Sequence, residues 1–354
     1  MSTKAVLYRE LDGTEFSVEL PLTSFVDPRE VMEELELPSY IDLKYFPMEN
    51  ALVTIWAAVN APEMHKRYPN VFDKKICDKP IPALVFGGSA VKILCKDSNG
   101  GGSLSRSLKD VDFIVPKDQG WKFYKLLLSM GAALGTRFTS FATSNDRRFT
   151  GWRHGERYRV TTINGVKDDG VPTVTVMDVL CDAINLRHKL DVREAFKSYR
   201  ENMYTIGIEN LILSKAQFIT ETDRQDLEKL KEHGQEYRVL SYDHYDKNKI
   251  ILGMEEKDVK DVCAIFLDHP IGGPGGVDSQ KLRKALRDER MALTVTLNLR
   301  NLIEHPEAPR RWLSKSEVAL IVERIGALLK DLPRVDKKWD KPWWNTSVET
   351  PVIA

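Results

Sequence analysis

PALVFGGSAVKILC, residues 82–95, and DVDFIV, residues 110–115, are the stretches from which we infer the fold of this chain. The apolar run PALVF predicts a short buried strand. Gly87 and Gly88 end that strand and allow a sharp turn, because no Cβ obstructs the backbone. Ser89 is suited to cap the helix predicted next, whose first-turn N–H groups would form an anion site. DVDFIV predicts a second strand, closed by Pro116.

Three aspartates are the candidate metal ligands. Asp110 and Asp112 stand two residues apart on a predicted strand, so both carboxylates project from one face. Asp178 follows the alternating strand TVTVM, residues 173–177, and fits the same site. Crowded carboxylates repel one another, and a divalent cation that also binds triphosphate oxygens keeps them ionised. The sequence therefore predicts Mg²⁺ (or Mn²⁺) held by these acids beside a nucleoside triphosphate (NTP).

A family resemblance emerges from these motifs taken in order. GGSAV (87–91), RSLKDVDFIV (106–115) and the later strand-borne Asp178 resemble the nucleotidyltransferase superfamily of polymerase-beta type. IGIENLILSKAQFITETDRQDLEKL (206–230) resembles the helical segment of the minimal nucleotidyltransferases and the AbiEii-like toxin group. The similarity covers roughly residues 80–235. It implies nucleotide-binding roles for Gly87, Gly88, Ser89, Lys109 and Lys215, metal-binding roles for Asp110, Asp112 and Asp178, and catalytic roles for those three acids and Asp226.

Two departures from the family pattern bear on these roles. The insertion DSNGGGS (97–103) lengthens the connection between Ser89 and Asp110, so either Arg106 or Lys109 is the basic residue that reaches the substrate. Lys229 stands where the resemblance places a second acid after Asp226.

The resemblance implies a metal-dependent nucleotidyltransferase. Such an enzyme moves NMP from an NTP to a hydroxyl acceptor and releases pyrophosphate. The acceptor would be RNA (such as tRNA) or protein, in a toxin-type enzyme with an antitoxin-like partner. A small-molecule, antibiotic-modifying transferase fits the motifs equally well. A catalytically inactive nucleotide-binding or scaffold protein of the same fold is the alternative that Lys229 favours.

The expected fold class is α+β, with a nucleotidyltransferase-like mixed sheet core flanked by helices and a mostly helical C-terminal domain. We predict an N-terminal lobe of unknown role at 1–75, the core at 76–200 and the helical domain at 201–354. Within the lobe, Asp12-Gly13 indicates a hairpin, and Asp27-Pro28 indicates a helix start.

Composition limits the functional classes. The 354 residues contain 52 Lys+Arg and 52 Asp+Glu, so the formal net charge is zero and binding of nucleic acid or membrane through bulk charge is not expected. No stretch is long and apolar enough to span a membrane, and the charged N-terminus does not resemble a signal peptide. The four scattered cysteines are expected to be reduced thiols of a cytoplasmic protein.

Two aromatic segments leave alternatives open. RRFTGWRHGERYR (147–159) would either bind a nucleic-acid backbone or form a solvated hairpin that buries Trp152 and Tyr158 in the sheet. The tail containing Trp339, Trp343 and Trp344 would dock either on the protein's own helices or on a partner.

Overall fold

The chain has a mixed α+β structure, as predicted. A computed structural model describes residues 3–9, 15–20, 26–44, 46–133, 156–166, 172–232, 234, 236–240, 246–335, 339 and 341–346. The chain divides into two compact units that alternate along the sequence. The first unit comprises Met1–Ile93, Ser107–Asp182 and Arg193–Ile206, and the second comprises Leu94–Arg106, Ala183–Val192 and Gly207–Ala354. The proposed borders after residues 75 and 200 stay predictions.

The first unit begins with an antiparallel pair of strands, β1 (Thr3–Arg9) and β2 (Glu15–Leu20). The Asp12-Gly13 turn predicted between them lies outside the described residues. Helix α1 (Pro28–Glu34) starts where Asp27-Pro28 predicts, and the Asp27 side chain accepts a hydrogen bond of 2.8 Å from the Arg29 N–H. Two further helices follow, α2 (Phe46–Val59) and α3 (Ala61–Arg67).

A four-stranded mixed sheet forms the centre of the first unit. Its strands are β3 (Leu84–Phe86), β4 (Asp110–Val115), β5 (Arg157–Val166) and β6 (Pro172–Cys181). Their order is β3-β4-β6-β5; β4 and β6 are parallel, and the other pairs are antiparallel. The outer edge of β3 pairs with residues 204–206, since Val85 N–H donates to the Tyr204 carbonyl and its own carbonyl accepts from Ile206 N–H.

Two helices of the first unit adjoin this sheet. Helix α4 (Gly87–Leu94) follows β3 directly, and α5 (Gly120–Ala133) follows β4. Because side chains alternate along a strand, Phe113 points away from the face that bears Asp112, and its ring lies 5.3 Å from that of Phe123 on α5. Tyr158 of β5 is 1% exposed and stacks on Tyr124 of α5 at 5.4 Å. Tyr158 is therefore a core residue, as the hairpin alternative expects.

The second unit is mainly helical. Its helices are α6 (Ile208–Ala216), α7 (Leu227–Glu232), α8 (Glu256–Asp268), α9 (Ser279–Ala285), α10 (Glu289–Glu304) and α11 (Lys315–Asp331). Helix α10 begins separately from α9 because the Asp288 side chain caps it, accepting from the Arg290 N–H. At the start of α11, Ser314 and Glu317 form a capping box.

The strands of the second unit are not predicted by the sequence. A short hairpin joins β7 (Ala183–Asn185) to β8 (Lys189–Asp191). An antiparallel sheet of order β10-β11-β9 contains β9 (Thr220–Asp223), β10 (Tyr237–Val239) and β11 (Lys249–Glu255). The apolar spacing of IENLILSKAQFI predicts helix through residue 219, whereas α6 ends at Ala216 and β9 begins at Thr220.

One buried amide connects α10 to this sheet. Asn298 is fully buried, and its Nδ2 donates to the carbonyls of Ala216 and Phe218 at 2.9 and 2.8 Å. Its Oδ1 accepts from the Met254 N–H at 2.9 Å. A single side chain thus satisfies backbone groups at the end of α6 and in β11, which would otherwise be unpaired in the interior.

The tryptophan tail docks on the second unit itself. Trp343 and Trp344 are buried against Ile219, Leu240, Ile251 and Leu293. The Trp343 indole N–H donates to Oγ1 of Thr294 at 3.0 Å, and the same oxygen lies 2.8 Å from Nε2 of the buried His188. Burial lowers the pKa of His188 to about 4; among its charged neighbours, Asp288 opposes that change and Arg290 and Arg187 reinforce it.

The cysteines and the helices agree with two expectations from composition. All four cysteines are buried free thiols, and burial raises the pKa of Cys263 to about 12, so it is unreactive near neutral pH. Within the described parts of the chain, none of the helices has the length and apolarity needed to cross a bilayer.

Candidate functional site

The turn between β3 and α4 brings backbone against a carboxylate. Gly87 has φ of +69°, a conformation that favours glycine. A Cβ built at Gly87 would lie only 2.5 Å from Oδ2 of Asp112, a separation that real Cβ atoms essentially never show. Because Phe86 pairs with Asp112 in the sheet, the turn follows directly beside the acid. The backbone conformation at position 87 thus favours glycine, and any side chain there would force the Asp112 carboxylate to move.

Ser89 lies in the first turn of α4 and is almost fully buried, at 2% exposure. Its Oγ has no hydrogen-bond partner among the described residues. A buried hydroxyl without a partner is uncommon, since it loses water without gaining a replacement. Lys92, one helical turn later, is a second polar side chain inside α4, with 1% exposure. Lys92 is not among the residues that the sequence predicts for the site, although a lysine within the apolar run AVKIL indicates a buried charged group.

The aspartates of β4 and β6 share one face of the sheet. Asp112 pairs with Asp178 across the parallel strands β4 and β6. Two residues earlier on each strand, Asp110 pairs with Val176. Paired residues project to the same side, so the carboxylates of Asp110, Asp112 and Asp178 lie on a common face. Asp110 is exposed, whereas the other two are half-buried.

Two arginines of β5 hold the carboxylate of Asp178. Arg159 donates from Nε and Nη2 at 2.8 Å each, and Arg157 donates from the same atoms at 3.3 and 2.9 Å. Burial alone would raise the pKa of Asp178, but these two guanidinium groups outweigh it and leave the pKa below its usual value. The sequence interpretation missed this pair. The spacing of Arg157 and Arg159, two residues apart on a predicted strand, places both side chains on one face and could have indicated this arginine pair.

The structure does not test the metal predicted at these acids. Carboxylates such as those of Asp112 and Asp178, which pair across adjacent strands, are suitable oxygen donors for Mg²⁺. However, in the described portion of the chain no three His, Cys, Asp or Glu side chains are grouped so that they could hold a metal ion. Asp110 and Asp112 fit such a role better than Asp178, whose two oxygens are engaged by arginine. The metal itself stays a prediction.

Lys215, a predicted phosphate contact, lies in the second unit within a buried network of charges. Its Nζ is 2.8 Å from Asp261 and 3.1 Å from Asp258, both on α8. Arg106 also binds Asp261, with Nε and Nη2 at 2.9 and 2.7 Å. Burial would lower the pKa of Lys215, but Asp261 and Asp258 raise it above its ordinary value. Contact with phosphate would require this ammonium group to leave two carboxylates.

Asp226 and Lys229 form a local pair in the second unit. The Lys229 Nζ lies 2.7 Å from Oδ1 of Asp226, three residues earlier. The lysine at the position of the missing acid is thus a partner of the predicted catalytic residue. Of the two basic residues proposed to reach the substrate, Arg106 is bound to Asp261, whereas Lys109 is exposed and immediately precedes Asp110.

The arginine- and aromatic-rich run is described only from residue 156 onward. Residues 147–155, with Trp152 and His154, lie outside the described residues, so nucleic-acid binding by this run stays a prediction. Comparison of the chain with protein families, with curated proteins and with solved structures finds no match to any of them.

Proposed function

We propose that this protein is a metal-dependent nucleotidyltransferase that moves NMP from an NTP to a hydroxyl acceptor and releases pyrophosphate. The observation that carries the proposal is the pairing of Asp112 with Asp178 on parallel neighbouring strands, next to the glycine turn at Gly87. Acids at that position would lie beside a phosphate held at the start of α4. Most of the catalysis would then be positioning and charge neutralisation.

The start of α4 would hold the triphosphate. Gly87 and Gly88 carry no side chain that could block an approaching phosphate, and the first N–H groups of a helix favour anions. The orphaned hydroxyl of Ser89 would donate to a phosphate oxygen. Lys109, exposed beside the acids, would add a positive charge to the phosphate chain.

The charges of the sheet face support a role for a divalent cation. Three carboxylates, Asp110, Asp112 and Asp178, and two guanidinium groups, Arg157 and Arg159, give a formal charge of −1 for the five residues. Mg²⁺ held by Asp110 and Asp112 would make that charge positive and offset part of the negative charge of a bound triphosphate. Asp178 stays ionised between its arginines, and we propose that these arginines turn toward phosphate oxygens once nucleotide is present.

The acceptor class comes from the family resemblance. RNA, such as tRNA, or a protein hydroxyl is the proposed acceptor, in a toxin-type enzyme of the cytoplasm that an antitoxin-like partner would restrain. The residues of the second unit enter this proposal unequally. The catalytic role of Asp226 rests on the family resemblance alone, whereas the ion pairs of Lys215 with Asp258 and Asp261 oppose a phosphate-binding role for that lysine.

A second candidate function is nucleotide binding without transfer. It is favoured by the pairing of Asp226 with Lys229 and by the engagement of both Asp178 oxygens, since each removes an acid from catalysis in the free chain. The two functions share the same nucleotide site and differ only in turnover.

Thermal melting tests the shared nucleotide site. Each of the four NTPs is added with and without Mg²⁺, and we expect one or more to raise the melting temperature only with the metal. Asp110→Asn with Asp112→Asn should abolish that shift. The matched control is Glu201→Gln, an exposed acid of the same unit, which should leave the shift intact. No shift with any NTP would contradict both candidate functions.

A transfer assay separates the two functions. The protein is incubated with Mg²⁺, NTPs labelled at the α-phosphate, total RNA, cell protein and small hydroxyl acceptors. Label that becomes covalently attached in the wild type, but not in Asp178→Asn, supports the transferase. Nucleotide binding with no attached label in any fraction supports the binding protein.

A further inference from the structure

A cavity in the second unit has the size of a small-molecule site. It lies between α10, α11 and residues 332–335, and its volume is about 480 Å³, within the range of roughly 300–1,000 Å³ usual for ligand pockets. Most of its wall is apolar and consists of Leu293, Leu297, Leu329, Leu332, Pro333 and Val335. An apolar wall of this extent favours a hydrocarbon group rather than a fully polar ligand.

A glycine inside a helix lines the cavity. Gly326 lies in the middle of α11, where glycine is less favourable than alanine. A Cβ built at Gly326 would meet no atom within 4 Å. Close packing of the helix therefore does not require glycine there, and the missing side chain leaves space that a bound molecule could fill.

Positive charge lines the same cavity. Arg300, Lys330 and Arg334 are exposed at its margin, and the described lining contains no acidic residue. The side chains of these three residues make no hydrogen bond or ion pair with another described residue. Thr296, also in the wall, has a buried Oγ1 with no hydrogen-bond partner in the described chain. Three cations and one orphaned hydroxyl beside leucines fit an anionic head attached to an apolar tail.

We propose that this cavity binds a small, free, single-chain anionic amphiphile, with a carboxylate or phosphate head. The alkyl chain would lie against the leucines beside Gly326. The head would accept hydrogen bonds from Thr296 and from the basic residues at the margin. This site is independent of the proposed nucleotidyl transfer, and its test does not depend on that activity.

Isothermal titration calorimetry of the full chain with decanoate tests the site. We expect binding of one decanoate per chain, and affinity that rises about fourfold for each methylene from hexanoate to decanoate. Decanol, which has the same tail without the charge, should bind at least about tenfold more weakly at low salt. Affinity that does not depend on chain length, or equal binding of decanol, would overturn the proposal.

Two variants and one matched control test the location. Gly326→Leu should fill the cavity and reduce decanoate affinity at least about tenfold, since several buried methylenes of the ligand are displaced. Gly326→Ala, the control, should keep binding. Arg300→Gln with Lys330→Gln, which changes only exposed residues and so leaves folding intact, should weaken decanoate but not decanol. Decanoate binding unchanged in Gly326→Leu and in the charge variant would overturn the assignment.

Sedimentation with phosphatidylcholine–phosphatidylglycerol vesicles tests whether the ligand is free or part of a membrane. Cosedimentation of the protein with these vesicles that requires Arg300 and Lys330 would overturn the proposal of a free ligand in favour of a membrane lipid.

Discussion

Replacing Asp261 by asparagine tests the charge network that holds α6 against α8. Asp261 is 3% exposed and accepts from Arg106 and Lys215, so the variant leaves two cations facing a neutral amide. Burial would raise the pKa of Asp261, but Lys215 and Arg106 lower it from 3.8 to about 2. At about 1.4 kcal/mol per pH unit, that difference corresponds to roughly 2–3 kcal/mol of stability at neutral pH. Measurements on other broken buried pairs reach about 3–5 kcal/mol.

The pH dependence of this effect has a definite sign. The folded-state pKa of Asp261 is depressed, so its contribution is complete above its ordinary pKa of 3.8 and is lost as the pH falls toward about 2. The difference in stability between wild type and Asp261→Asn should therefore be constant from neutral pH down to about 4 and shrink below it.

Hydrogen exchange followed by mass spectrometry is the suitable assay, because a chain with two units need not unfold in one step. Peptides from α6 and α8 should exchange faster in Asp261→Asn, by roughly 30- to 160-fold for a loss of 2–3 kcal/mol. The exposed acid Glu323 on α11 provides the control, and Glu323→Gln should change exchange little. Equal exchange of the α6 and α8 peptides in Asp261→Asn and wild type would refute the argument that this carboxylate stabilises the unit.

Three further substitutions have defined outcomes. Gly87→Ala should destabilise the first unit by at least about 1 kcal/mol, because of the positive φ and the clash with Asp112. The same substitution should weaken any NTP-dependent rise in melting temperature. An unchanged melting temperature would contradict this prediction. Asn298→Leu should lower the free energy of unfolding in denaturant by about 2–4 kcal/mol, since the Met254 N–H and two carbonyls lose their partner. A loss below about 1 kcal/mol would show that water replaces the amide. The folded-state pKa of His188 is lowered to about 4, so the free energy of unfolding should fall by up to about 3 kcal/mol as the pH drops from 6.5 to that value. His188→Gln should flatten this dependence of stability on pH. An unchanged dependence in the variant would assign it to other groups.

The elements predicted best are those with local signals. The glycines at 87 and 88 separate β3 from α4, the run DVDFIV forms β4, and Asp27-Pro28 starts α1. Each depends on residues close together in sequence. The register that pairs Asp112 with Asp178 joins residues 66 positions apart, and the sequence suggests their shared site only through strand patterns.

Features determined by distant contacts were not predictable. Lys215 lies in an apolar helical pattern, and its partners Asp258 and Asp261 come more than forty residues later. The apolar spacing of LILSKAQFI continues past the end of α6, but β9 pairs with β11, and Asn298 binds the carbonyls of the connecting residues. Tertiary contacts therefore decide this segment against its local periodicity.

The pairing of residues 204–206 with β3 limits how this chain can be divided. A protein ended at residue 200 would lack these residues and would expose the backbone N–H and C=O of Val85 at a sheet edge. Open edges of this kind recruit strands from other molecules, so such a fragment should aggregate. A fragment that contains only the first unit would have to keep the chain through Ile206. Short linkers would replace Leu94–Arg106 and Ala183–Val192, which belong to the second unit.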